Sequence, residues 1–152
     1  MATAVYQTRQ WIKVLGVTLP LITLLVIAMD SNLKTMDQYL RSASLLLAIN
    51  ASVIVLIGSL KIRLNEQQLS WNFGFLPWPI WRLDLTQIER VELCETRAVE
   101  GWGLRFTKEG MLYNAAGKAA VRIYKRDGKC IRLGSAEAAI LLEELNSRCK
   151  FH

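Results

Sequence analysis

Trp11 to Met29 reads WIKVLGVTLPLITLLVIAM, and Ser42 to Leu60 reads SASLLLAINASVIVLIGSL. At about 1.5 Å per residue, a helix of either length covers roughly 28 Å, close to the ~30 Å hydrocarbon layer a spanning segment must match. The twelve residues between them lean polar. This pattern predicts a membrane α-helical hairpin with transmembrane helices at about 11–29 and 42–60. Residues 1–60 then form a leader plus hairpin, and residues 61–152 a cytoplasmic domain able to fold without it. With 152 residues in total, no second soluble domain is expected.

Flanking charge orients the pair. Arg9 and Lys13 precede the first segment and Lys61 and Arg63 follow the second, against Lys34 and Arg41 between them. The positive-inside rule then puts both termini in the cytoplasm, making the chain a multi-pass protein of the cytoplasmic (inner) membrane. A signal-peptide reading of the first segment competes, with Val26 and Ala28 at the small-residue positions before a cleavage point. Such an h-region would be long, and cleavage would leave the domain cytoplasmic all the same. Pro20 is expected to kink the first helix. Ser44, Ala48 and Ser52 recur every fourth residue and are candidates for close helix–helix packing. Asn50 is the strongly polar group at membrane depth, either donating an interhelical hydrogen bond or satisfied by backbone.

After Lys61 the period becomes two. Ile62 and Leu64, an Asn65–Gln68 turn, then Leu69, Trp71 and Phe73 predict a β-hairpin. Pro77-Trp78-Pro79 lacks ladder donors and marks an edge or connection, before strand patterns at 81–85 and 88–93. Gly101-Trp102-Gly103 fails the dinucleotide fingerprint, since its third glycine would fall at Phe106, and reads as a bend. Lys108-Glu109-Gly110 reads as a turn into Met111, Leu112 and Tyr113. In Val121 to Leu133, an Arg126-Asp127-Gly128 loop with left-handed Gly128 pairs Ile123 with Ile131 and Val121 with Leu133, which keeps one face apolar. Arg122, Lys125, Arg126, Lys129 and Arg132 then gather on the other face. They form either a candidate lipid- or partner-binding surface, or a solvated edge that charge protects from aggregation. Ser135 is the expected N-cap of a last helix, with Ala138, Leu141, Leu142 and Leu145 inward and the end near Arg148.

The ordered set of two apolar segments, the Gly101–Arg105 stretch, Tyr113 before a Gly117 turn, Val121 to Gly128, and Leu133-Gly134-Ser135 opening a helix resembles the bacterial membrane-anchored PH-like (pleckstrin-homology-like) domain proteins. The resemblance covers nearly the whole chain. It implies an α+β domain, a curved antiparallel sheet or partly open barrel capped by one C-terminal helix. Its motifs are structural and imply no ligand.

Composition narrows the function. From Lys61 onward fifteen Lys and Arg face eleven Asp and Glu, +4 of the whole-chain +6. That suits anionic headgroups and is too little for nucleic acid. Cys94, Cys130 and Cys149 have neither disulfide-framework nor C-x-x-C spacing, and His152 is terminal. No metal, cofactor or catalytic set is expected, and the Glu92/Glu95 and Glu143/Glu144 pairs read as solvated. The expected function is a non-enzymatic module at the membrane surface that binds lipid headgroups, a protein partner or its own copies. The alternative is a small accessory subunit or assembly factor of a membrane complex.

Overall fold

The computed structural model describes residues 5–30, 35–96, 101, 103–115 and 117–149. Trp102, Lys34 and His152, singled out above, lie outside the described residues. Nine strands, three α-helices and a 3-10 turn at Leu85–Gln87 occur among them.

The first element is a strand, β1 (Tyr6–Trp11), where hydropathy suggested only a leader. Helices α1 (Lys13–Met29) and α2 (Met36–Ile57) follow, and then β2 (Ser59–Leu64). β1 pairs antiparallel with β2, from Tyr6 opposite Leu64 to Trp11 opposite Ser59. The ladder continues through β3 (Gln68–Phe73) and β4 (Ile80–Asp84), so sheet A has the order β1-β2-β3-β4. Sheet B contains β5 (Ile88–Glu95), β6 (Gly103–Thr107), β7 (Gly110–Asn114), β8 (Ala119–Lys125) and β9 (Cys130–Gly134), in the order β5-β8-β9-β7-β6. The β8–β9 hairpin inserts between β5 and β7, which leaves β7 and β9 parallel. Helix α3 (Ala138–Arg148) packs on β5 and β8.

This architecture corrects the expected fold class. The chain is not a two-helix transmembrane hairpin followed by a PH-like domain with one curved antiparallel sheet. Its described residues form two sheets, one of them mixed, and three α-helices. Its helical pair is an excursion between two neighbouring strands of sheet A, and a division at residue 60/61 would run through β2. Of the helices among the described residues, only α2 is both long and apolar enough to cross a membrane by itself, while α1 has 17 residues. The physical reason is backbone pairing. Val5-Tyr6-Gln7-Thr8-Arg9-Gln10-Trp11-Ile12 alternates buried and outward positions, and it finds its ladder about fifty residues away across the excursion.

Local chemistry sets the helix ends. α2 starts six residues before the apolar run because Thr35 forms a capping box: Gln38 N donates to Thr35 Oγ1 and Thr35 N donates to Gln38 Oε1. An Asp37–Arg41 pair supports that first turn. α2 stops at Gly58 because Ser59 and Leu60, which apolar length alone places in the second span, belong to the β2 ladder.

One hydrophobic core joins the sheets, α3 and the start of the excursion. Leu60, Ile62, Leu64 and Leu69 of sheet A meet Val121, Ile123 and Leu133 of sheet B, with Leu141 and Leu145 of α3, all fully buried. An aromatic cluster closes the seam: Tyr113 lies 5.2 Å from Trp71 and 5.1 Å from Trp81, edge-on to both. β1 ties the two halves. Buried Gln10 donates to Gly134 O (3.3 Å) and accepts from Ala136 N (3.0 Å), while Tyr6 OH donates to Glu137 (3.1 Å).

The β8–β9 hairpin has the bulged register read from sequence: Val121 faces Leu133 and Ile123 faces Ile131, with Gly128 at φ +77°. In α3 the N-cap position is Glu137, and Ser135 Oγ instead accepts from Glu137 N. Ala138, Leu141 and Leu145 are buried, whereas Leu142 is only half-buried.

Candidate functional site

The five cations expected to form one surface divide into three settings. Arg122, on β8, donates to Glu92 of β5 (2.8 Å) and to Glu109 of the β6–β7 turn (2.5 Å). Tyr124 OH also donates to Glu92 (2.8 Å). These partners raise the Arg122 pKa, and the Tyr124 and Arg122 hydrogen bonds hold the Glu92 carboxyl below its usual range. Arg132 is 3% exposed, with Glu109 3.8 Å away. Lys125 and Lys129 share Asp127, at 2.9 and 3.9 Å, and pull its carboxyl pKa down. Arg126 donates through Nε to Thr86 O (2.9 Å). Outward direction in a strand is therefore not exposure: strand β5 and the β6–β7 turn supply acids that close over Arg122 and Arg132.

The hairpin tip also lies at the end of sheet A farthest from the excursion. Arg126 N donates to Gln87 O and Leu85 N to Gln67 O, which joins the tip to the β2–β3 turn. Between Ser59, where the excursion ends, and Leu64 beside that turn, β2 advances about 17 Å at roughly 3.3 Å per residue. A cleft of about 620 Å³ opens at this far end, lined by Glu66, Gln67, Asp84, Thr86, Arg126 and Arg148 among others.

The pairing of the small-residue stripe differs from expectation as well. Ser44, Ala48 and Ser52 lie on the exposed side of α2, where the two serines donate to carbonyls of their own helix. The side of α2 that meets α1 carries Leu46 and Asn50 instead. Asn50 Nδ2 donates to Thr23 Oγ1 (2.7 Å), so a polar contact crosses the helix pair. α1 continues through Pro20.

Sequence reading missed a different basic surface. In sheet A, Arg9 is the register partner of Lys61, and Arg63 and Arg82 both flank Ser70, so all four cations share the outer face. None of the four makes a salt bridge among the described residues. Lys61 is held below its ordinary pKa by partial burial and by Arg9 and Arg63 beside it. Arg9 lies 4.6 Å from the Trp11 ring and 4.1 Å from the Phe75 ring, and its buried Nη2 lacks a hydrogen-bond partner. The signal in sequence was the spacing Lys61-x-Arg63. It became a surface only once the Arg9 strand was laid beside it.

The remaining chemistry-bearing residues stay apart. The three cysteines are free, and burial pushes all three thiol pKa values up. Glu95 and Glu143 are exposed, and Glu144 pairs with Arg148. Among the described residues no three His, Cys, Asp or Glu side chains gather to hold a metal ion. No family model, curated protein or solved structure matches this chain.

Proposed function

We propose that this chain is a non-enzymatic binding module attached to a membrane through its helical excursion, and that the outer face of sheet A, rather than the β8–β9 hairpin, contacts anionic headgroups. α2 is long and apolar enough to span. Both ends of the excursion meet at one place, since Trp11 pairs with Ser59 and Ile12 N donates to Gly58 O (2.9 Å). The excess of Lys and Arg at that junction makes it the cytoplasmic side of an inner membrane, with both termini there.

The observation that carries the reading is the set of four cations on the outer face of sheet A that make no salt bridge among the described residues. Arg9 and Lys61 are two residues from the junction, about 7 Å along the strand, and Arg63 about 13 Å. Screening at physiological salt has a length of about 8 Å, so Arg9 and Lys61 feel an anionic leaflet most, Arg63 less, and the hairpin tip, about 17 Å along, least. The full chain, extracted in mild detergent, is expected to retain anionic phospholipid. Arg9→Gln/Lys61→Gln/Arg63→Gln should lose most of it and Lys125→Gln/Lys129→Gln should keep it. Equal retention by all three proteins refutes the headgroup reading.

The distal cleft favours a second role, as an accessory subunit whose protein partner meets Arg126, Arg148, Glu66 and Asp84 away from the bilayer. Recovery of one stoichiometric protein with the detergent-extracted chain, lost in Arg126→Glu, supports it. Recovery of the chain alone counts against it.

A further inference from the structure

The connection between β3 and β4 has no role in the reading above, yet it is both strongly apolar and exposed. From Phe73 to Trp81 the sequence is FGFLPWPIW, nine residues without a charge. Trp78 is 81% exposed, and Phe75 and Leu76 are about half exposed. A soluble turn of this length ordinarily carries polar residues, and three exposed bulky apolar side chains in one connection mark a contact surface.

Its location is specific. Gly74 N donates to Ser59 O, and Phe75 N donates to Val55 O (2.8 Å), inside the last turn of α2. Gly74, at φ +72°, lies so close to the Val55 and Leu56 carbonyl oxygens that a Cβ there would overlap them. Asn72 Nδ2 holds the far side of the connection by donating to Leu76 O (3.2 Å). The Phe75 ring lies 5.4 Å from Trp11, edge-on, at the opposite end of the excursion. The loop therefore reaches past the end of the sheet, down the side of α2, at the level where Trp11 enters α1.

A helix of 22 residues extends about 33 Å, slightly more than the ~30 Å hydrocarbon layer. If α2 spans, its last turn sits at the boundary between acyl chains and headgroups, and so does the loop bonded to it. Tryptophan and other amphipathic aromatics concentrate in that layer. Arg9 lies against both rings, 4.6 Å from Trp11 and 4.1 Å from Phe75, so a cation accompanies the two aromatic side chains at this level.

We propose that residues 74–79 form an interfacial foot, with Phe75, Leu76 and Trp78 seated in the headgroup layer of the membrane that α2 enters. The occupant of this apolar surface is phospholipid. The foot sets the depth and tilt of sheet A against the bilayer. This inference rests on membrane attachment through the excursion, but not on anionic headgroups, because ring insertion needs no net lipid charge.

The test uses the full chain in zwitterionic phosphatidylcholine vesicles. Subtracting the emission of Trp78→Phe from that of the parent isolates Trp78, and phenylalanine keeps an apolar ring in the loop, so folding is left aside. Expected is a blue-shifted Trp78 component, quenched more by lipid brominated high on the acyl chain than by lipid brominated near the methyl end, and insensitive to salt. A red, water-like component that neither lipid quenches, in protein that resists carbonate extraction, overturns the foot and leaves the attachment reading standing. Release into the carbonate supernatant overturns both. A Trp78 component quenched most by the deep bromines overturns the interfacial placement.

Discussion

Replacing residues 13–57 with Asn-Gly is expected to yield a soluble, cooperatively folding protein, whereas the fragment 61–152 is expected not to fold. Ile12 and Gly58 already make a strand-type hydrogen bond beyond the Trp11–Ser59 pair, so a two-residue type I′ turn fits that gap. The fragment removes β1 together with Ser59 and Leu60. Tyr6, Ile12 and Leu60 are all buried in the core, and each lost side chain costs about 1.5–3 kcal/mol. Gln10's two hydrogen bonds to the β9–α3 junction add about 1 kcal/mol each. The loss of roughly 6–11 kcal/mol compares with a usual total stability of about 5–15 kcal/mol, so little remains for the fragment. Urea unfolding followed by far-ultraviolet circular dichroism and tryptophan emission measures both proteins. If 61–152 shows the same cooperative midpoint as the closed variant, β1 is not part of the fold's core.

Three further outcomes follow from single side chains. Leu141→Asp should unfold the closed variant, at about 4 kcal/mol or more for a carboxylate in the core, while Leu142→Asp should cost about 1–2 kcal/mol because Leu142 is half-buried; equal melting shifts would refute the α3 facing. Gly110→Ala should destabilise by about 2 kcal/mol or more, since φ is +121° and the new Cβ would overlap the Cys130 carbonyl oxygen; an unchanged urea midpoint would contradict the β7–β9 approach. Glu92, whose folded pKa is lowered, contributes stability that is fully present above its ordinary value of 4.5 and is lost as pH falls below it through the folded value. Glu92→Gln should therefore be less stable at neutral pH and lose less on acidification to that range, as read by urea midpoints against pH.

Much of the local structure was legible without coordinates. Alternation marked β2, β3 and the β8–β9 pair, and Gly128 set the bulged register because a one-residue slip would have turned Ile123 and Ile131 outward. Apolar length marked both helices, and the spacing of Ala138, Leu141 and Leu145 marked α3. These are short-range properties, carried by neighbours within a few residues. They do not say which strands meet. β1 was hidden because its partner lies beyond both helices, and hydropathy contains no information about pairing across so long a gap. The side of α2 carrying Ser44, Ala48 and Ser52 was misjudged for a related reason: small residues permit close approach, but the Asn50–Thr23 hydrogen bond, one of the two alternatives expected of Asn50, turns a different side of α2 toward α1.

The basic residues show the division most clearly. Sequence alone determined that the chain carries a positive excess and that Arg122 and Arg132 point the same way from adjacent strands. Tertiary structure decided that Glu92 and Glu109 enclose them, while Arg9, Lys61, Arg63 and Arg82, on the outer face of sheet A, make no salt bridge among the described residues. The alternation of a strand specifies on which side a charge emerges. What lies on that side depends on neighbouring strands distant in sequence, and it is their acids, not the pattern of the strand itself, that decide whether a cation is neutralised or left to meet a membrane.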